Sequence, residues 1–335
     1  MMRRVAIVGA GVAGLRLGGL LQARGLSVEL FDKARGPAGR ISTRRLDWGR
    51  FDHGAQYFTA RDPRFVAQVE DWLARGVAAP WSARFAVLEQ GEVRKEPSPP
   101  IRYVGVPGMS AIARDLAQGL VVRTGVRIAS AWPRGPHWVL VADDGFEFDS
   151  FDWVVSAVPA PQAPPLLEAS PVLMLHVRRV RFLACHAAMV RYAAPLAVDF
   201  DAAFVRDSPL GWVAREASKP GREPSNGWLL HSTPAWSEAH LELPAEQVLD
   251  ALAAAFARAL ERSLPELPER ASGTVHRWLF ARPETHGAGA ALWDPELGLG
   301  VCGDWVQGDR VEDAFLSAER LAESMLASLA RDGAR

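Results

Sequence analysis

The sequence predicts an α/β fold, in which a parallel sheet wrapped by helices and carrying a small antiparallel layer is joined to a second, α+β unit built on an antiparallel sheet. Three observations carry this expectation. The chain opens on an apolar run, Val5 to Val8, that stops at Gly9-Ala10-Gly11-Val12-Ala13-Gly14 and continues as a helix-forming stretch from Leu15 to Arg24. A second apolar run, Ser27 to Phe31, follows a stop at Gly25 and ends on Asp32. From residue 177 onward the pattern changes to β-rich segments separated by turns.

A Gly-x-Gly-x-x-Gly turn between a strand and a helix is a Rossmann-like dinucleotide fingerprint. Gly9 permits the tight turn, Gly11 leaves no Cβ between the backbone and a pyrophosphate, and Gly14 lets the helix pack close to the strand. The anion then rests on free N–H groups at the helix start, Val12 and Ala13. Asp32, followed by Lys33, stands where a carboxylate accepts hydrogen bonds from adenosine ribose hydroxyls and repels a 2′-phosphate.

Downstream, Asp62-Pro63 is an N-cap with proline at the first helical position, and Phe65, Val66, Val69, Trp72 and Leu73 recur at helical spacing up to Gly76. Trp81 to Tyr103 reads as short strands interrupted by Pro97-Ser98-Pro99-Pro100, and Gly108 to Gln118 as a short helix. Val121 to Ile128 is a strand, Trp138 to Ala142 and Glu147 to Phe151 a hairpin, and Phe151 to Val158 a buried strand returning to the main sheet. Pro159 to Pro171 is a proline-rich bridge. Val177 to Tyr192, Leu196 to Phe204, Gly211 to Arg215 and Trp228 to Ser232 read as strands of the second unit, Pro244 to Leu264 as a helix, Leu299 to Asp304 as a strand, and the chain from Glu312 as a terminal helix. The expected division is 1–80, 104–160 and 276–335 for the nucleotide unit, and 81–103 and 161–275 for the substrate unit.

At 335 residues the chain suits two units. Its net charge of −1 argues against a nucleic-acid surface. Lys33, Lys95 and Lys219 are the only lysines beside 35 arginines. Cys185 and Cys302 stand in no metal-like spacing, so neither a metal site nor a disulfide framework is expected, and a reducing, cytoplasmic setting is the default. The glycines and Arg16 argue against reading the N-terminus as a signal peptide, and no membrane segment is expected.

Three further segments point to FAD: Gly36 to Arg44, Asp52-His53-Gly54-Ala55-Gln56-Tyr57-Phe58-Thr59, and Gly303-Asp304 to Ala314. With them the chain resembles the amine-oxidase-like flavoproteins, and within these the renalase family, over nearly all its length. The resemblance implies that Gly39 and Arg40 run past the diphosphate, with Ala38 replacing a glycine, and that Gly54, Ala55, Gln56 and Tyr57 lie beside the isoalloxazine. It implies an adenine contact for the Val126 backbone, ribitol and pyrophosphate contacts for Gly303-Asp304, and a segment Val311 to Ala314 whose first amide faces the N1–C2=O edge. Free amides at a helix start stabilise the negative charge that reduction places there.

Where family amine oxidases carry an aromatic-cage tyrosine, this chain has Arg310, which disfavours a cationic substrate. The renalase resemblance implies oxidation of 2- and 6-dihydro isomers of NAD(P) to NAD(P)⁺, with O₂ as acceptor and H₂O₂ as product. Hydride transfer from a dihydropyridine needs no general base, in keeping with the absence of a nucleophilic triad or paired carboxylates. Pocket candidates are Arg310, Tyr57, His231, His276 and Trp278, with Lys219, Arg222 and the tract around Arg215 as candidate phosphate partners. The alternatives are an FAD-dependent amine oxidase and a flavin-binding protein without turnover; an aromatic hydroxylase fits poorly, because Asp304 is followed by Trp305-Val306.

Overall fold

The computed structural model describes every residue except 1, 98–99, 262–265, 286, 288 and 333–335. Part of the Pro97 to Pro100 break and the expected helix end at Leu264 therefore lie outside the described residues. Six strands form the nucleotide sheet in the order Leu292–Asp294, Leu299–Val301, Trp153–Ser156, Arg4–Val8, Ser27–Asp32 and Val121–Thr124. All run parallel except the outermost, Leu292–Asp294. Of the inner strands, Arg4–Val8, Trp153–Ser156 and Leu299–Val301 are almost wholly apolar and buried, whereas Ser27–Asp32 buries only Val28, Leu30 and Phe31, with helices covering one face of the sheet and an antiparallel layer the other.

On one face, Leu15, Leu17 and Leu21 of helix Val12–Gln22 pack with Phe65 and Trp72 of helix Pro63–Ala74 and with Phe315, Leu321 and Met325 of helix Val311–Asp332. Asp62 caps the second helix by accepting from Arg64 N, as its Asp-Pro start predicts. On the other face lie the strands Ile128–Arg134, His137–Ala142 and Glu147–Phe151. The expected strand Val121 to Ile128 thus breaks in two at the Gly125 turn, and its last residue opens a new strand in this layer.

The segment from 159 to 181 departs further from expectation. Pro164–Leu167 and Pro171–Val177 are short helices packed on the nucleotide sheet, and the expected strand at Val177 starts only at Phe182. Ser170 accepts from Leu173 N and Pro171 occupies the first helical position, a local start signal that outweighs the apolar run behind it. Similarly, only Ala202–Val205 of the expected strand Leu196 to Phe204 is extended in the sheet.

The second unit is a seven-stranded sheet in the order Arg270–Pro283, Phe182–Tyr192, Gly227–Ser232, Leu210–Arg215, Ala202–Val205, Phe85–Glu89 and Glu92–Lys95. It is antiparallel apart from the pairing of Ala202–Val205 with Phe85–Glu89. Arg270–Pro283 stays in this sheet along its whole length, so by sheet membership the return expected at 276 falls after Pro283.

Strand alternation sorts its side chains. Ala188, Val190, Val213, Leu230 and Val275 face helix Ala245–Leu260. One register row, Trp212, His231, Ala187 and His276, therefore faces the nucleotide unit, and Trp278 follows on the same side opposite Cys185.

Gly9 has φ of +111°, and a Cβ there would lie 2.7 Å from the Ala157 carbonyl oxygen. A Cβ at Gly14 would collide with the Gly9 carbonyl and approach Ala157 Cβ to 3.1 Å. Gly14→Ala should thus force helix and strand apart and cost about 1–3 kcal/mol of stability. Chemical denaturation should show the loss as a lower midpoint; an unchanged midpoint would refute the close-packing role.

Candidate active site

The turn after Arg4–Val8 is a cradle rather than a packed corner. A Cβ built at Gly11 would meet nothing within 4 Å, in contrast to its neighbours Gly9 and Gly14. The amides of Val12, Ala13 and Gly14 have no acceptor among the described residues, and no side chain caps this helix. Open space beside free amides is what a bound pyrophosphate requires.

Gly39 sits against this turn, 3.4 Å from Gly11 Cα as measured from its own ideal Cβ position. Arg40 reaches across it to Asp304 in a two-pronged pair of 2.8 and 2.5 Å. These two residues, expected to contact one cofactor, are thereby brought together from opposite ends of the chain. At the far edge, Asp32 accepts from Ala10 N and Ala34 N, each at 2.8 Å, and Lys33 is exposed. Val126 lies beside Asp32, but its amide already donates to the Asp32 carbonyl, so only its own carbonyl is open to an adenine.

Gly54 is pressed against the Arg40 backbone, and Ala55 N donates to the Arg40 carbonyl at 2.8 Å. The terminal helix meets the same region. Its Glu312 accepts from Arg61 N and Asp62 N at 2.6 and 2.7 Å, while the Val311 amide has no acceptor among the described residues. Val311, Ala314, Ala55 and Tyr57 border one apolar cluster. The residues present therefore fit an extended dinucleotide lying from Asp32, across Gly11 and Arg40, to the segment 54–57.

Facing that segment is the sheet row described above. Tyr57 packs on Trp212 with ring centroids 5.5 Å apart, and Arg102, paired with Glu96 at 2.7 and 2.8 Å, lies 4.9 Å over the Tyr57 ring. His231 Nε2 and Trp278 Nε1 both reach the His53 carbonyl, at 3.1 and 2.8 Å. His53 and His276 are in edge contact at 4.8 Å, and Trp278 touches both rings. Three predicted pocket residues thus converge on His53, the middle residue of Asp-x-Gly, to which the sequence assigns no pocket role. Burial pushes His53 down to about 3, helped by His276, Arg44 and His231, and pushes His231 down to about 4. His276 is lowered by burial and by Arg44. These imidazoles are neutral at physiological pH.

The candidate phosphate partners are placed differently from expectation. Lys219 is completely buried, 2.9 Å from Glu216, 3.2 Å from Asp52 and 3.2 Å from Gln56 Oε1. Arg222 pairs with Asp52 at 2.5 Å and donates to the Gly105 and Pro220 carbonyls, and Arg215 pairs with Asp201. Lys219 and Arg222 are buried and consumed internally, with nothing to offer a phosphate, and Arg215 is partly exposed but committed to Asp201. Gly221, itself exposed, bends the turn back against Val106 and Pro107, and the Lys219 and Arg222 side chains on either side of it are buried. Arg310 keeps partial exposure but lies 2.7 Å from Glu312 and 3.3 Å from Asp313.

Gln56 completes the junction by donating to the Asp52 carbonyl. Asp52 also accepts from Thr43 Oγ1 at 2.6 Å and Met109 N at 3.0 Å. Its carboxyl is held below the usual range by Lys219, Arg222 and these donors, against the opposing effect of burial.

Comparison with known proteins agrees with this geometry. Residues 7–72 match the NAD(P)-binding Rossmann-like domain, and residues 82–326 match the flavin-containing amine oxidoreductases. The chain belongs to the flavin-containing amine oxidoreductase family. As such it is an FAD-dependent oxidoreductase. A putative protoporphyrinogen oxidase from Exiguobacterium sp. 255-15 shares its fold with a TM-score of 0.77 at 13% identity, covering 98% of this chain and 99% of that one. Wild-type putrescine oxidase bound to putrescine has a TM-score of 0.71 at 14% identity, covering 98% and 99%. A hydroxyneurosporene desaturase from Rubrivivax gelatinosus is 48% identical over 58 residues, a stretch of 17% of this chain and 11% of that protein. No helix among the described residues is long and apolar enough to cross a membrane.

Lys219→Met strands a carboxylate beside Asp52 and should cost about 3–5 kcal/mol, read as a lower urea midpoint. Adding Glu216→Gln should recover part of that loss; no recovery would mean that Lys219 matters for packing rather than charge. For the histidines, the unfolded chain takes up protons below pH 6.5 that the folded one refuses, so stability falls as pH drops from 6.5 towards about 4. His231→Gln should flatten that slope by up to about 3 kcal/mol over the range, and parallel curves for both proteins would refute its buried, neutral state.

Proposed function

We propose that this family member is an FAD-dependent oxidase of misreduced dihydronicotinamide dinucleotides, the 2- or 6-dihydro isomers of NAD(P), yielding NAD(P)⁺. The observation that carries this reading is the state of the basic groups facing the site. Lys219 is neutralised between two carboxylates, and the imidazoles of His53, His231 and His276 are buried and neutral. A dihydropyridine becomes an aromatic pyridinium by loss of a hydride alone, so its reacting carbon gives up no proton. Bound FAD supplies the two-electron acceptor, and O₂ with two protons takes the electrons on as H₂O₂.

The residues proposed to act do so by placement. Tyr57 and Trp212, with Trp81 at 6.4 Å from both rings, form an aromatic wall suited to a flat ring. Arg102 holds Tyr57 from behind. The proposed cofactor shell is Gly9, Gly11 to Gly14, Asp32, Gly39, Arg40, Gly54 to Tyr57, the Val126 carbonyl, Gly303, Asp304, Val311 and Ala314.

Oxidation of a small amine is the second reading, favoured by the same aromatic wall, which is also able to hold a cation. Anaerobic mixing separates the two. A 6-dihydroNAD isomer should bleach the flavin band at least about tenfold faster than any of a panel of primary and secondary amines. Fast bleaching by an amine alone would overturn the proposal.

A further inference from the structure

Beside the imidazoles of the candidate site, the Arg44 guanidinium is left unspent. Arg44 is half-buried and has neither a carboxylate nor a hydrogen-bond acceptor among the described residues. Arg40, Arg102, Arg215, Arg222 and Arg310 all have carboxylate partners. Strands Thr43–Leu46 and Gly49–Asp52 form a hairpin in which Arg44 pairs with Phe51; Phe51 is buried against Ala187, Met189 and Leu229 of the seven-stranded sheet, so Arg44 leaves the hairpin on that same side. Burial and the nearby Arg44 guanidinium both hold the His276 and His53 imidazoles below the usual range, with no carboxylate among the neighbours that shift them. His53 is 6% exposed, and its Nδ1 is buried without a partner. An orphaned ring nitrogen, an unpaired guanidinium and a second imidazole with no acid nearby lack an anion to complete them.

We propose that Arg44, with His276 and His53, forms a subsite for a phosphate or pyrophosphate group of the substrate. The inference rests on the dinucleotide reading above. It replaces Lys219, Arg222 and Arg215, whose charges are used within the protein. The subsite adjoins the reacting region through shared residues: Trp278 lies 4.3 Å from His276 and donates to the His53 carbonyl, one residue before Gly54. A dinucleotide could thus present its nicotinamide to the segment 54–57 while its charged centre lies against Arg44. A guanidinium offers a phosphate two parallel N–H donors, a geometry that a lysine at this position would lack.

The test uses flavin-loaded wild type, Arg44→Gln and His276→Phe, with FAD content measured for each. Two reductants are compared anaerobically, 6-dihydroNAD and the corresponding 6-dihydronicotinamide riboside, which lacks phosphate. The preference for the dinucleotide, taken as the ratio of apparent Kd values, should fall by about tenfold or more in Arg44→Gln, and in the same direction in His276→Phe. An unchanged ratio in both variants overturns the subsite, because a merely structural role would weaken both reductants alike. Calorimetric titration with inorganic pyrophosphate is the second arm, with binding expected to wild type and lost in Arg44→Gln. If neither dihydronicotinamide reduces the wild type, the functional reading fails while this titration still decides the subsite: pyrophosphate binding that depends on Arg44 supports it, and its absence overturns it. Should Arg44→Gln lose FAD, Arg44→Lys and His276→Phe carry both arms.

Discussion

The structure turns on a junction of four buried ionisable side chains. Asp52 comes from the hairpin of the nucleotide unit, while Glu216, Lys219 and Arg222 come from the turn that follows strand Leu210–Arg215 of the sheet unit. Removing such groups from water is costly: burial pushes the Glu216 carboxyl up against the pull of Lys219, and the arrangement is tolerable only because acids and bases alternate and nearly every donor is met. Thr43, Met109 N, Gln56 and two backbone carbonyls supply those remaining partners. The directionality of these bonds sets the angle between the units, which apolar packing alone would leave softer. Gln56 ties the junction to the segment beside the proposed isoalloxazine position, so any tilt of one unit on the other is felt at the candidate site.

The second constraint is closure of the chain upon itself. Asp304 lies 264 residues from Arg40, and Glu312 lies about 250 from Arg61 and Asp62, yet each pair is in direct contact. A dinucleotide in this cradle would touch the first turn, the Arg40 segment and the start of the last helix at once. Binding to the folded chain alone would then stabilise elements that no local contact unites. The Arg40–Asp304 pair holds the cradle in register, while the free amides of Val12 to Gly14 and of Val311 keep donors available at its two ends.

The seven-stranded sheet supplies the site through its alternation. One face is spent on helix Ala245–Leu260, and the other delivers Trp212, His231, His276 and Trp278 to the nucleotide unit in one register row and its neighbour. Arginine, the dominant base of this chain, is mostly committed to carboxylates or aromatic faces at this interface. That commitment makes Arg44 conspicuous, and it explains why a basic composition near the site does not translate into a broad anion-binding surface.

The parallel sheet, the dinucleotide turn and the alternating strands were legible because each depends on residues close in sequence: Gly9 to Gly14, the acid at the end of the next strand, the Asp62-Pro63 cap. Expectation and structure part where local signals compete, as where Ser170-Pro171 starts a helix that runs through Val177, the first residue of the expected strand. The pairing of histidines at His53 could have been suspected from a histidine in the middle of Asp-x-Gly, but its neighbours come from strands more than 170 residues away. What the sequence by itself determined, then, was the nucleotide fold and the segments able to line it, since backbone geometry and hydrophobic period are local properties. Which charges remain free was decided only by tertiary structure. Lys219 and Arg222 meet Asp52 through a turn folded back into the core, and whether a cation is solvated, paired or open to a ligand depends on contacts that sequence spacing does not encode.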